Sequence, residues 1–130
     1  MKATNLIAFL NGGIAGRDLQ SQIAAEVDVW TKRLSERGRS APVTLVGAIG
    51  SFDITRQGAM RLLDALITME LSPTSFTYVL DALLLSENFR WTSESVRELL
   101  EDLIPLESGL SIDIGHAWKA REHLTAMREN

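Results

Sequence analysis

The 130-residue chain contains no cysteine. That excludes a disulfide framework, a thiolate metal site and a cysteine nucleophile, and it fits a reducing compartment. Long apolar runs are missing as well. The run near the N-terminus, Leu6 to Leu10, is too short for a signal-peptide core or a membrane span. Basic residues do not dominate: 13 Lys and Arg face 17 Asp and Glu, for a net charge of −4. A phosphate backbone is therefore a poor partner, and a basic protein a better one. There are only two histidines, His116 and His123, seven positions apart. A helix binds metal through histidines at i and i+4, so this pair reads as two surface residues and no metal or cofactor is expected. The serines fall mainly at turns and helix starts, so nothing sets up a nucleophile and its base. The expectation is a non-enzymatic, cytoplasmic protein of one domain, large enough to bury a core without staples.

What the chain does have is one pattern written three times between Ile54 and Ile104. Each copy is an apolar residue, a Ser or Thr, three mostly polar residues, then an apolar stripe. Thr55, Ser72 and Thr92 stand where helix N-caps belong, their hydroxyls able to accept from backbone N–H groups the first turn leaves unpaired. Ile54, Leu71 and Trp91 precede them, and Ala59, Phe76 and Val96 follow at hydrophobic-staple spacing. Pro73 suits the first helical position. The stripes are Ala59, Leu62, Leu63, Leu66 and Ile67; Phe76, Val79, Leu80, Leu83 and Leu84; and Val96, Leu99, Leu100, Leu103 and Ile104. This is the i, i+3, i+4, i+7, i+8 spacing of a core-facing helix. Each large side chain contributes roughly 1.5–3 kcal/mol when fully buried. Ordering the backbone costs about 1–2 kcal/mol per residue, so the three helices must face one another or their neighbours. One helix per 17–20 residues does not match two-helix solenoid repeats; the copies share a way of starting a helix.

Elsewhere, residues 3–10 read as a short helix or ordered arm carrying Leu6, Ile7, Phe9 and Leu10. Asn11-Gly12-Gly13 is a turn. A glycine-rich stretch before a helix can cradle phosphate, but no strand precedes this one and no Gly-Lys-Ser/Thr ends it. A long helix follows over 18–37, with Leu19, Ile23, Val27, Trp30 and Leu34 as its stripe and Gly38 beyond its end. Val43, Leu45 and Val46 favour a strand, but only Phe52-Asp53-Ile54 is available to pair with it, so a short buried helix over 43–49 is expected. A last helix over 112–128 should turn Ile114, Trp118, Leu124 and Met127 inward. The predicted fold is all-α: a single-domain bundle of about five to seven helices, at 18–37, 55–68, 73–86, 93–104 and 112–128, with short elements near 3–10 and 43–49.

Three stretches invite a functional reading. Glu94, Glu98, Glu101 and Asp102, with Arg97 among them, form an acidic face on the third patterned helix, read as a solvated surface with i, i+4 pairs. The second and third patterned helices have a helix-turn-helix outline, but the apolar Tyr78–Leu85 face carries none of the side chains that read bases. Ser86 to Trp91 holds two aromatics in a short connection. Phe89 and Trp91 can be structural, or, with Glu87 beside them, an aromatic anchor at an interface.

The segment FTYVLDALLLSENFRWTSESVRELLEDL, Phe76 to Leu103, resembles small helical immunity proteins of bacterial polymorphic toxin systems, and LVGAIGSFDITRQGAMRLLDALI before it adds to the likeness. The resemblance implies inhibition by binding, with no catalytic residues, a cognate toxin domain as partner, and occlusion of that toxin's active cleft. Glu87, Phe89, Trp91, Glu107 and Asp113, near the ends of predicted helices, form the expected partner-binding surface. The second expectation is a helical adaptor or regulatory subunit, which could be a homodimer burying one of its tryptophans; the third is an enzyme whose cleft is not visible as a motif, and a helix-turn-helix DNA-binding protein is a further, less favoured alternative.

Overall fold

The computed structural model describes residues 1–37, 45–47, 51–104 and 114–127. Among the described residues, six helices and two short strands follow in the order α1 (Ala3–Leu10), α2 (Gly16–Arg37), β1 (Phe52–Ile54), α3 (Arg56–Ile67), α4 (Pro73–Leu85), β2 (Phe89–Trp91), α5 (Glu94–Glu101) and α6 (Ile114–Ala126). The all-helical expectation holds apart from the small sheet.

The patterned helices start largely as their sequences predict. The Thr55 hydroxyl accepts from the Gly58 N–H at 3.1 Å, and Ser72 does the same for Ser75 at 3.1 Å. Both staple pairs, Ile54 with Ala59 and Leu71 with Phe76, are buried. The third start is one residue late. Ser93 caps α5, accepting from Val96 at 3.4 Å, while Thr92 is drawn off by the sheet. Its N–H and its hydroxyl both donate to the Ile54 carbonyl, each at 3.1 Å.

α3 packs against every other helix. Leu62, Leu63 and Leu66 are fully buried along it, and its polar flank reaches outward. The Arg61 guanidinium donates to the Leu10 carbonyl at 2.8 Å, closing the C-terminus of α1, where cationic groups offset unpaired carbonyls. Arg56 donates to the Leu124 carbonyl of α6 at 3.0 Å, and Asp64 is ion-paired with Arg121 of α6. α2 lies on α4: Trp30 meets Tyr78 edge to face at 5.2 Å, and Gln20 accepts from the Ser72 N–H at 3.0 Å. Glu26 accepts from the Tyr78 hydroxyl at 2.7 Å and pairs with the Met1 amino group. Burial, then the Glu26 bond, pushes the Tyr78 hydroxyl far above its ordinary pKa.

Three expectations need correction. Trp118 is half exposed; α6 turns Ala117, Ala120 and Leu124 inward instead. Two alanines let the α6 and α3 backbones approach closely, and the ridge they define leaves Trp118 off to one side. Around Val46 the chain is not helical. Val46 makes an isolated parallel bridge with Lys2, through bonds of 2.9 and 2.8 Å to Ala3 and Met1. Residues 43, 44, 48 and 49 lie outside those described, as do Gly38 and the side chain of Leu34. Phe52–Ile54 pairs with Phe89–Trp91, a partner 37 residues away.

The glycines at the α1–α2 turn have packing reasons. Gly12 adopts φ +81° beneath the Arg61 guanidinium, and a Cβ on Gly16 would lie 2.8 Å from the Ala65 Cβ of α3. After α3 the chain passes through the same left-handed region without a glycine, at Met69 with φ 63°. Two substitutions should therefore move stability in opposite directions in urea denaturation. Gly16→Ala should cost about 1–3 kcal/mol by forcing two helices apart, whereas Met69→Gly should add about 0.5–1 kcal/mol by relieving backbone strain.

Candidate functional site

α4 ends at Leu85, where Ser86 takes an extended conformation and ends the helix. The turn that follows is held locally, with the Asn88 N–H donating to the Ser86 hydroxyl at 3.3 Å. The chain then enters β2, parallel to β1 in the register Phe52↔Phe89, Asp53↔Arg90, Ile54↔Trp91. The two-residue period of a strand sorts these side chains. Phe52, Ile54, Phe89 and Trp91 join the core or pack on it, while Asp53 and Arg90 are exposed neighbours across the sheet.

This decides the fate of the two aromatics. They belong to a strand, and they are not equivalent. Phe89 is 6% exposed and meets Phe52 edge to face at 6.0 Å, so it serves the core. Trp91 is half-buried and Glu87 exposed. Both remain available to a partner, as does Leu85, which at 73% is the most exposed large hydrophobic residue among those described. Glu107 and Asp113, the other two expected contact residues, lie outside the described residues.

α5 presents its acids to solvent. Arg97 donates to Glu94 at 3.0 Å and lies 3.3 Å from Glu101. Such exposed pairs contribute about 0–1 kcal/mol each; they organise the surface more than they stabilise the fold. His116 and His123 are both exposed on α6. No group of three His, Asp or Glu that could hold a metal occurs among the described residues, and no described helix is long and apolar enough to cross a membrane.

Two features were not anticipated. One is Asp81, in the middle of α4, half-buried and with no hydrogen-bond or ion-pair partner among the described residues. Burial pushes its carboxyl above the usual aspartate range. The visible signal was a lone acid within the apolar run FTYVLDALLL. The other is how charge is distributed. Residues 62–113 hold ten of the 17 acids and two of the 13 bases, a net of −8 against −4 for the whole chain. Of this excess, α4 carries Asp81 alone and α5 a net of −2 from Glu94, Glu98 and Glu101 against Arg97.

No protein family matches the chain. Comparison with curated proteins and with solved structures likewise found no similar protein and no similar fold.

Truncation should separate the core aromatic from the surface residues. Phe89→Ala should lower unfolding free energy by about 3–5 kcal/mol, as for a buried phenylalanine. Glu87→Lys should change it by no more than about 0.5 kcal/mol. Thermal and urea unfolding of the two variants checks this.

Proposed function

We propose that this chain is a non-enzymatic binding protein of the bacterial cytoplasm, an immunity protein that neutralises a cognate toxin domain by occluding its active cleft. The observation that carries the reading is the acid excess of residues 62–113 in the sequence, together with the exposed Leu85 and half-exposed Trp91 that fall within that stretch. Acidic groups of this density steer a basic partner such as a nuclease toward the surface. An apolar residue among them gives the complex something to bury once it has formed. The resemblance of Phe76–Leu103 to helical immunity proteins supports the same conclusion. The connection between α4 and α5 runs over eight residues and includes β2, unlike the short turn of a helix-turn-helix motif, which argues against the DNA-binding alternative.

The test is co-expression and pull-down with the product of the adjacent reading frame. A complex should form, weaken as salt rises, and protect cells from that product. Glu87→Lys combined with Trp91→Ser should lower protection while the protein remains folded. No complex with that product would overturn the reading, and full protection by the double variant would remove the Glu87–Trp91 surface from it.

One observation favours a second reading, a helical adaptor that pairs with its own copy. Trp118 is 50% exposed on α6, and burying a tryptophan is an efficient way to hold two subunits together. In sedimentation equilibrium, a dimer that Trp118→Ser dissociates would establish this pairing. A monomer at high micromolar concentration would exclude it.

A further inference from the structure

We infer that the outward strip of α4, formed by Thr74, Thr77, Asp81, Leu84 and Leu85, is the seat of a basic, leucine-bearing segment of another protein, with a Lys or Arg of that segment paired to Asp81. This rests on the reading of the chain as a binding protein, and names the surface and the chemistry of the partner.

α4 is enclosed on most of its circumference. Ser75, Phe76, Tyr78, Val79, Leu80, Ala82 and Leu83 are all buried. What faces outward recurs at i, i+3, i+7, i+10 and i+11 from Thr74, a band about 100° wide along the helix. Its first two turns carry Thr74, Thr77 and Asp81, and its end carries two leucines. The Thr77 hydroxyl is already used by its own helix, donating to the Pro73 carbonyl at 3.1 Å. Leu84 is half-buried and Leu85 is 73% exposed. Asp81 is the single charge in the strip.

That carboxylate has no partner among the described residues, whereas other acids of this protein do. Asp64 holds Arg121, Glu26 holds Tyr78, and Glu94 and Glu101 share Arg97. Half-buried and unpaired, Asp81 costs the free fold stability at neutral pH, because its charged form is the one that burial penalises. A cation delivered by a partner would recover that cost, and apolar side chains alongside it would cover Leu84 and Leu85. An amphipathic helix laid on the strip presents this combination. The sign of the partner follows from Asp81 itself, from the exposed Glu87 just past the helix end, and from the net −2 of α5, which packs on α4. That charge repels nucleic acid and anionic lipid, and draws in a basic protein segment.

The probe is a 14-residue amphipathic peptide of leucine and arginine at helical spacing, titrated into the isotopically labelled full chain and followed by amide chemical shifts. A matched peptide with glutamate in place of arginine is the control. The basic peptide should shift amides from Thr74 to Leu85 and the control should not. Asp81→Asn should weaken the basic peptide about tenfold, as expected for losing one partly desolvated charge pair. Leu85→Ser should weaken it about fivefold, the loss of a single apolar contact. Asp81→Asn should also raise the melting temperature of the free protein, which a residue with an internal structural role would not do. Several results overturn the inference: no binding, shifts confined to α5, unchanged affinity of Asp81→Asn, or a lowered melting temperature. Failure here is distinct from failure of the proposed function. Should the adjacent gene product bind unaffected by strip variants, the strip falls and the immunity reading stands. Should the peptide dock on α4 while that product does not bind, the strip stands and the immunity reading falls.

Discussion

Burial of the α3 leucines is the interaction on which the rest depends. Leu62, Leu63 and Leu66 are sealed from water, and α3, which carries them, is in contact with all five other described helices. None of those helices could be stable alone. A helix of eight residues, such as α1 or α5, is too short to hold itself in water. Each becomes stable by covering part of α3. The same rod supplies polar tethers at its edges. Arg61 closes α1, while Arg56 and Asp64 hold α6. These bonds fix where the neighbours lie along α3, whereas the leucines provide most of the free energy.

Helix starts were legible because their information is local. A Ser or Thr, an apolar residue before it and another four positions later define one turn, and Thr55 and Ser72 behave accordingly. Where a non-local bond competed, the local rule failed. Thr92 fits a cap by sequence, but the Ile54 carbonyl takes its N–H and hydroxyl, and Ser93 inherits the role. The sheet itself was illegible for a similar reason. Two strands of three residues, far apart in the chain and parallel, leave almost no periodicity to detect. Val46 likewise found its partner at Lys2, just before the stretch that reads as a helix or arm. On α6 the error was one of weighting: tryptophan seemed the natural inward residue, but the close approach of two helices selects Ala117 and Ala120.

The candidate site was partly legible. Aromatics near acids between helices marked the right region, yet aromatic character alone does not separate a plug from an anchor. Alternation along β2 makes Phe89 a core residue and leaves Arg90 exposed, and that alternation exists only once the strand is paired. The lone acid in α4 is not legible as a site, because a single polar residue in an apolar helix is what any outward position looks like. Its meaning depends on how much of the helix is covered, and on whether a cation from elsewhere in the fold reaches it. Neither quantity is written in the sequence of α4.

Surface acids on α5 and the acid on α4 also differ in kind. Glu94, Glu98 and Glu101 are well solvated, so their contribution to any encounter is long-ranged, weak and screened by salt. They can bring a basic partner near without selecting its orientation. Asp81 is half desolvated before any partner arrives, so completing its desolvation costs less than it would at an open surface, and its field is less screened. A diffuse negative field that attracts, and one partly buried charge that rewards a single arrangement, divide the work of association between rate and specificity. Such a division needs a rigid seat. α4 supplies one because seven of its thirteen residues are locked in the core. The packing that stabilises the bundle is thus also what holds Asp81 and Leu85 at a fixed separation for a partner to meet.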